Sequence, residues 1–415
     1  MKRHLVRTLL VLAIVGLAQV SAVGAPYYLE HTFLNPTPED YDYMGYAVAG
    51  VGGHVLLGAP YDNTGADAAG SAYLFDGTTG ALRLTVSNPA PGAADLFGRS
   101  VAGLGTNLIV GAPFDDGGES NSGSAYLLDG TTGTLLQTFV KPVPGANERL
   151  GTAMAALGGN VLVSAPGEIA TGGSVYLFDP ATGAIVRTLA NPSPATGDGF
   201  GSSIAVLGSN VIVGAPGDDG AATNGGVAYL FDGATGALLL TFAHPVPDFG
   251  DEFGWCVAAV GGNVLIGAPY APGGGAAYLF DGTTGDLLHT LLSPSPSNNA
   301  SFGGSVGAVG TAALVGEPGN DTGGANTGAV YLFDGASGAL ITPIFNPDPA
   351  DFDTFGSAVA GVGNKVLVGM YNDDTGAENT GAAFLYSSQV VPEPATLTLL
   401  ALGGIGLLAR RRRRA

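Results

Sequence analysis

The chain has 415 residues, of which 46% are hydrophobic, 70 are glycine and 26 are proline. Its apolar runs are short and regular, which excludes a disordered chain. Its glycines keep no period of three, which excludes collagen. A single cysteine excludes a disulfide framework and a CxxC metal or redox site. The net charge of −20 argues against nucleic acid as a partner, because phosphate binding requires a basic surface.

Residues 1–25 have the pattern of a secretory signal peptide. Three basic residues among the first seven precede an apolar stretch from Leu9 to Val20, and small residues follow it. Cleavage fits best after Ala22. The alternative is an N-terminal membrane anchor, but the apolar stretch is shorter than the roughly 20 residues of a spanning helix. The pattern therefore predicts export.

One unit of about 51 residues is then written seven times, from position 29 to position 387. A Gly-Ala-Pro motif or a variant of it begins at Gly58, Gly111, Ser164, Gly214, Gly267, Gly316 and Gly369. A Phe-Gly motif or a variant precedes each of these, beginning at Met44, Phe97, Leu150, Phe200, Phe253, Phe302 and Phe355. A Tyr-Leu-Phe-Asp-like segment follows each, beginning at Tyr73, Tyr126, Tyr176, Tyr229, Tyr278, Tyr331 and Phe384. Such a period indicates a propeller or a solenoid rather than separate domains.

Each copy has the pattern of four short strands and no helical periodicity. In the fourth copy the predicted strands are Ser203–Leu207, Asn210–Gly214, Val227–Phe231 and Ala237–Phe242. They are rich in β-branched and aromatic residues and are bounded by Gly, Asn, Asp and Pro. We therefore predict an all-β, seven-bladed β-propeller of four-stranded antiparallel blades over residues 26–388.

The ends of the repeat array predict a closed ring. Residues 30–36 match the fourth strand of other copies but precede the first copy, and the seventh copy stops after its third strand, near Ser387. The N-terminal strand should therefore complete the last blade and pair its open edge. A linear solenoid, the alternative, would carry capping repeats, and the sequence shows none.

The order Phe-Gly, Gly-Ala-Pro and a strand ending in an aromatic residue, repeated seven times, resembles the FG-GAP repeats of integrin α-subunit propellers and their bacterial relatives. The resemblance implies calcium sites where a blade has an Asp-x-Asp-x-Asp-Gly loop between its first two strands. That motif does not occur in this sequence, and short turns such as residues 103–107 stand in its place. The calcium sites of the family therefore do not carry over, and we predict no cofactor from them.

The C-terminal residues 389–415 combine three features in a fixed order. Pro392, Glu393 and Pro394 precede an apolar run over residues 397–409, and a basic cluster follows it, formed by Arg410, Arg411, Arg412, Arg413 and Arg414. This order resembles the PEP-CTERM sorting signal of Gram-negative bacteria. The resemblance implies transient contact with the inner membrane, cutting by an exosortase-type protease, and release or attachment outside that membrane. The alternative, a C-terminal membrane tail, would also place the body outside the cytoplasm.

Acidic residues are concentrated in particular loops of the body. Residues 26–391 contain six basic and 33 acidic side chains, a net charge of −27. In an up-and-down blade, the loops between the second and third strands and the loops between blades share one face, and these loops contain 24 of the 33 acids. Such a rim attracts cations, although a secreted apolar propeller also needs surface charge for solubility. The acids that this rim offers to Ca²⁺ are Asp62, Asp67, Asp115, Asp116, Asp218, Asp219, Asp321, Asp373 and Asp374.

No residue stands out as a catalytic base or nucleophile. The histidines of the body occupy positions that other copies fill with ordinary residues: His31, His54, His244 and His289. Cys256 aligns with serine or alanine on the innermost strand, so it is interpreted as a small core residue. Trp255 stands where other copies have Arg99, Ser202 or Gly304, and it is either an anchor at the central channel or a packing residue.

These observations predict a secreted or cell-surface, non-catalytic binding or adhesion module of the bacterial envelope or exopolysaccharide matrix, with a matrix polymer or a surface protein as partner. The sorting signal resembles that of proteins linked with biofilm production. The first alternative is a polysaccharide-degrading enzyme, for which the paired carboxylates are Asp351 with Asp353 and Asp251 with Glu252. The second alternative is a structural coat protein.

Overall fold

The computed structural model describes residues 27–388 except Ala221 and Asn298. These residues form 28 β-strands in seven four-stranded antiparallel sheets, which confirms the predicted seven-bladed β-propeller. Within this range no helix is long and apolar enough to cross a membrane. The predicted signal peptide and the C-terminal sorting segment lie outside the described residues.

The strands follow one another from the centre of the ring outwards in each blade. Strand β1 spans Tyr28–Leu34. Blade 1 contains β2 (Ala47–Val51), β3 (His54–Ala59), β4 (Ser71–Phe75) and β5 (Leu82–Ser87). Blade 2 contains β6 (Ser100–Leu104), β7 (Asn107–Ala112), β8 (Ser124–Leu128) and β9 (Leu135–Phe139). Blade 3 contains β10 (Met154–Leu157), β11 (Asn160–Ala165), β12 (Ser174–Phe178) and β13 (Ile185–Ala190).

The remaining four blades repeat this order. Blade 4 contains β14 (Ser203–Leu207), β15 (Asn210–Ala215), β16 (Val227–Asp232) and β17 (Leu238–Ala243). Blade 5 contains β18 (Val257–Val260), β19 (Asn263–Ala268), β20 (Ala276–Asp281) and β21 (Leu287–Leu292). Blade 6 contains β22 (Ser305–Val309), β23 (Ala312–Glu317), β24 (Ala329–Asp334) and β25 (Leu340–Phe345). Blade 7 contains β26 (Ala358–Val362), β27 (Lys365–Met370) and β28 (Ala382–Ser387), and it receives β1 as its outer strand.

The ring closes through the N-terminal strand, as the repeat pattern predicts. Strand β1 pairs antiparallel with β28, with Thr32 opposite Phe384 and Leu34 opposite Ala382. The innermost strands of the first and last blades, β2 and β26, pack against each other. Closure pairs an edge that a linear array would leave open.

Burial explains why the middle strands are continuous apolar runs whereas the outer strands alternate. The second and third strands, such as β3 and β4, are buried over nearly their whole length, because neighbouring blades cover both faces. Outer strands such as β5 bury only alternate residues. Seven hydrophobic clusters join adjacent blades; one of them packs Leu56 and Leu74 of blade 1 against Phe97 and Tyr126 of blade 2. The core is therefore a ring of interfaces between blades.

The Phe-Gly and Gly-Ala-Pro motifs meet where two blades approach most closely. A Cβ atom added at Gly58 would lie 1.9 Å from the carbonyl oxygen of Gly98 in the next blade. Gly98 itself has a φ of +94°, a backbone conformation in which any residue with a side chain is strained. Its N–H donates to Gly111 O at 2.9 Å. The repeat motif thus specifies the distance between blades.

Candidate functional site

The loops between the second and third strands and the loops between blades lie together on one end of the ring. We call this end the loop face; the turns between first and second and between third and fourth strands lie on the opposite end. The predicted acidic rim belongs to the loop face, and its members fall into a buried and an exposed group.

The buried group consists of pairs of aspartates. One member comes from the loop that enters a blade, and the other comes from the loop between the second and third strands of that blade. Asp42 is 0% exposed and Asp62 is 3% exposed. Equivalent buried pairs occur in blades 2, 4 and 7: Asp95 with Asp115, Asp198 with Asp218, and Asp353 with Asp373. Asp62, Asp115, Asp218 and Asp373 of the predicted rim are therefore not surface groups.

These buried carboxylates are hydrogen-bonded to the fold. In blade 2, Asp95 accepts from Asn88 Nδ2 at 2.8 Å and from the Gly92 N–H at 2.6 Å. Asp115 accepts from Tyr126 Oη at 2.5 Å and from the Gly117 N–H at 2.7 Å. Sequence reasoning missed both contacts, although the seven-residue spacing from asparagine to aspartate recurs in four copies. The pairs hold the loops in place, as buried polar groups with satisfied hydrogen bonds do.

Burial also changes how these groups titrate. Burial raises the pKa of Asp42 to about 6, and the charge of Asp62 acts in the same direction. Burial likewise raises the pKa values of Asp95, Asp198 and Asp353. On the loop face, burial therefore favours the protonated form of these carboxyl groups.

Blade 3 places an ammonium group where four other blades have an asparagine amide. Lys141 Nζ lies 2.7 Å from Glu148 Oε1 and also contacts Glu168 Oε1, and it is 5.5 Å from the centre of the Tyr176 ring. Burial acts to lower the pKa of Lys141, but hydrogen bonds to both glutamates outweigh it and the net shift is upwards. The longer glutamates and the cation form one cluster that replaces the aspartate pair.

His244 fills the same repeat position in blade 5. Its ring is buried beside Phe253 and Tyr278, with Nδ1 3.6 Å from Asp251 Oδ2, and burial lowers its pKa. The position is explained by the repeat, as the sequence predicts.

The exposed group has five members: Asp67, Asp116, Asp219, Asp321 and Asp374. In the last four, one carboxylate oxygen accepts the backbone N–H of the residue five positions later, as Asp116 does from Asn121 at 2.7 Å. Among residues 27–388, apart from the two left undescribed, no three His, Cys, Asp or Glu side chains converge as metal ligands. A Ca²⁺ site at these acids stays a prediction. The residues present do not fit the calcium loops of the family, because turns such as residues 51–54 contain glycine instead of acids.

The four carboxylates of the enzyme alternative lie in different surroundings. The Asp351 carboxylate accepts from the Ala325 N–H at 2.8 Å, whereas Asp353 is buried against Asn346. Asp251 is buried beside His244, as described above, and burial raises the pKa of Glu252.

At the centre of the loop face, two cavities of about 540 and 350 Å³ share Tyr46 and Trp255 in their linings. We call this region the channel mouth. Its further lining includes Arg99, Phe114, Arg149, Tyr270, Ser301, Ser357 and Tyr371. All of these residues precede an innermost strand or follow a second strand, which places them around the ring axis.

Three repeat positions build the channel mouth, and all three vary among the seven copies. The residues after Phe-Gly are Tyr46, Arg99, Thr152, Ser202, Trp255, Gly304 and Ser357. The residues before it are Tyr43, Leu96, Arg149, Gly199, Glu252, Ser301 and Thr354. Those after Gly-Ala-Pro are Tyr61, Phe114, Gly167, Gly217, Tyr270, Gly319 and Asn372. The fold tolerates side chains of any size at these three positions, from glycine to tryptophan.

Trp255 is an exposed residue of this mouth. It is 43% exposed, and its ring meets that of Tyr270 edge-on at 6.0 Å. Trp255 is therefore not a core residue: it lies at the channel mouth and packs against Tyr270, and its role as an anchor stays a prediction.

Sequence reasoning missed that Arg99 and Arg149 share the channel mouth. The Arg99 guanidinium lies 4.7 Å from the centre of the Tyr46 ring and donates to Tyr46 Oη, and that of Arg149 lies 5.3 Å from the Phe114 ring. Burial lowers the pKa of Arg99, and the charge of Arg149 acts in the same direction. Within the described residues neither arginine forms an ion pair with a carboxylate.

Cys256 connects two blades. Its Sγ donates to the carbonyl oxygen of Gly303 at 3.0 Å, the same contact that Ser203 Oγ makes to Gly254. Burial raises the pKa of the Cys256 thiol to about 12, so it is not a thiolate at neutral pH.

The FG-GAP repeat family matches the chain at five segments that together cover more than half of it: residues 83–128, 187–231, 247–280, 289–333 and 341–386. The PEP-CTERM protein-sorting motif matches residues 390–414. No curated protein matches the chain.

Proposed function

The chain belongs to the FG-GAP repeat family and ends in a PEP-CTERM sorting motif, and from this premise we propose that it is a non-catalytic binding or adhesion module of the exopolysaccharide matrix. The sorting motif indicates an exported protein that is sorted to the cell envelope or surface and processed by an exosortase-type system. The partner that we propose is the extracellular polymer around the producing cells.

The proposal rests on one observation: positions that differ among the seven copies lie together at the channel mouth. Seven copies of one motif agree where blades meet and differ around the mouth, where Trp255 and Tyr270 are exposed. Binding residues are commonly found on loops held by a rigid scaffold. Large exposed aromatic side chains in a concave region are typical of a ligand site.

The exposed acids restrict the kind of contact that a polymer can make elsewhere on the loop face. Asp116, Asp219, Asp321 and Asp374 each expose a carboxylate, so an anionic polymer lying over them would be repelled unless divalent cations bridged the charges. A Ca²⁺-dependent contact at these acids and a cation-independent contact at the mouth are therefore separable by chelation.

The test is retention of the protein, purified from the envelope of producing cells, on that organism's extracellular polymer at physiological salt. We expect retention with calcium and with chelator, and an unchanged polymer length. Retention only with calcium would move the contact to the exposed acids. Shortening of the polymer would favour an enzyme, and self-association without retention would favour a structural coat protein.

A further inference from the structure

Building on the proposed function, we propose that the channel mouth binds a sugar that carries a carboxylate, a uronate residue of an extracellular polysaccharide. This assignment names the chemistry that the mouth recognises. It rests on charge, on aromatic surface and on the composition of the lining.

Two arginines line the mouth of a strongly acidic protein. Only six basic residues occur between positions 26 and 391, and Arg99 and Arg149 both line the larger cavity. Of the other four, Arg83, Lys141 and Lys365 form ion pairs with carboxylates. Two like charges without a carboxylate partner in the described chain are a site for an anion, because an anion offsets their mutual repulsion.

Both guanidinium groups are held in place by aromatic rings. Arg99 stacks on Tyr46 and Arg149 stacks on Phe114, and neither contact occupies all of the N–H donors. A planar guanidinium fork matches the two oxygens of a carboxylate. Because stacking fixes the side chains beforehand, little conformational entropy is lost when the anion binds.

The rest of the lining suits a sugar ring. Trp255, Tyr270 and Tyr371 provide aromatic surface against which the apolar C–H face of a sugar packs, and Ser301 and Ser357 provide hydroxyl groups for its polar edge. The cavity volumes of about 540 and 350 Å³ lie within the range of small-molecule sites.

The surrounding charge favours a monoanion over a phosphate-rich polymer. The body carries a net charge of −27, and the exposed acids lie on the same loop face as the mouth. A densely charged polyanion would meet those acids along its length, whereas a uronate residue brings one charge on an otherwise neutral polyol.

Trp255 makes the test direct, because it is the only tryptophan of the chain and it lines both cavities. We would titrate the protein with a methyl galacturonoside and with the neutral methyl galactoside, and follow the tryptophan fluorescence. The account predicts a saturable change with the uronate at concentrations at least about tenfold lower than with the neutral sugar. Equal responses to both sugars, or an equal response to inorganic phosphate, would overturn the assignment.

Variants locate the site. Arg149→Gln, whose side chain is exposed, should weaken uronate binding about tenfold, and the double variant Arg99→Gln with Arg149→Gln about a hundredfold. Arg83→Gln on the outer strand of blade 1 is the matched control and should bind as the parent does. Unchanged binding by both mouth variants would overturn the proposal even if the protein still held the matrix polymer. Uronate binding without polymer retention would instead reject the matrix function and keep the site.

Discussion

The acid pairs and the channel mouth lie on the same face of the propeller but obey opposite rules. The acid pairs recur in register: Asp95 with Asp115 and Asp198 with Asp218 are buried and bonded in the same way. The channel mouth changes from copy to copy, with Trp255 in one blade and Gly304 in the next. In a repeat protein, each copy is a control for the others. A residue that recurs in register in several copies supports the fold, and a position that changes from copy to copy is available for function.

The largest loss of stability is expected in blade 3, because its acid cluster depends on one cation. Lys141→Gln should lower the free energy of unfolding by about 3 kcal/mol or more, since it leaves two largely buried glutamates without their partner. Urea unfolding measures the change, with Arg83→Gln as an exposed control. A loss below about 1 kcal/mol would show that the cluster does not support the fold.

Two adjacent aspartates in blade 2 give a matched pair. Asp115→Ala should cost about 2 to 3 kcal/mol, because it leaves the buried Tyr126 hydroxyl and the Gly117 N–H without an acceptor. Asp116→Ala removes an exposed carboxylate and should cost about 1 kcal/mol or less. Equal losses in urea unfolding would contradict the division into buried and exposed acids.

The pH dependence of stability tests the desolvation of the buried acids. The pKa of Asp42 is about 6 in the folded protein against an ordinary value of 3.8, so the folded state holds a proton that the unfolded chain has released in this interval. The contribution of this group is therefore full below the lower value and is lost, by about 3 kcal/mol, as the pH rises to the higher one. Asp95, Asp198 and Asp353 shift in the same direction.

Asp42→Asn should make the free energy of unfolding depend less steeply on pH, because the variant lacks this titrating group. Unfolding midpoints for the parent and the variant, measured at several values between about pH 4 and pH 7, supply the comparison. A variant whose stability depends on pH as steeply as that of the parent would be evidence against a desolvated Asp42.

The smallest effects on stability are expected at the channel mouth. Arg149→Gln and Trp255→Ala should each change the free energy of unfolding by about 0.5 kcal/mol or less, because both side chains are exposed and other blades have small residues there. Losses as large as those of Asp115→Ala would mean that the mouth is built for stability.

Periodicity explains how much was predictable. The number of blades and the closure by residues 30–36 follow from matching copies along the chain, and the structure confirms both. The exposure of the acids did not follow, since Asp115 and Asp116 are neighbours of one type and only the packed Tyr126 separates their roles. That Arg99 and Arg149 line one cavity depends on two blades meeting around an axis, and these residues are about one repeat apart in the chain.

Retention on the extracellular polymer, measured side by side for two variants, tests the central claim most directly. One variant replaces the exposed acids Asp116, Asp219, Asp321 and Asp374 by Asn, and the other combines Arg99→Gln with Arg149→Gln. The account predicts that the acid variant is retained like the parent, with or without calcium, and that the arginine variant is lost from the polymer. Loss of the acid variant with full retention of the arginine variant would place the binding surface on the acidic loops and contradict the account.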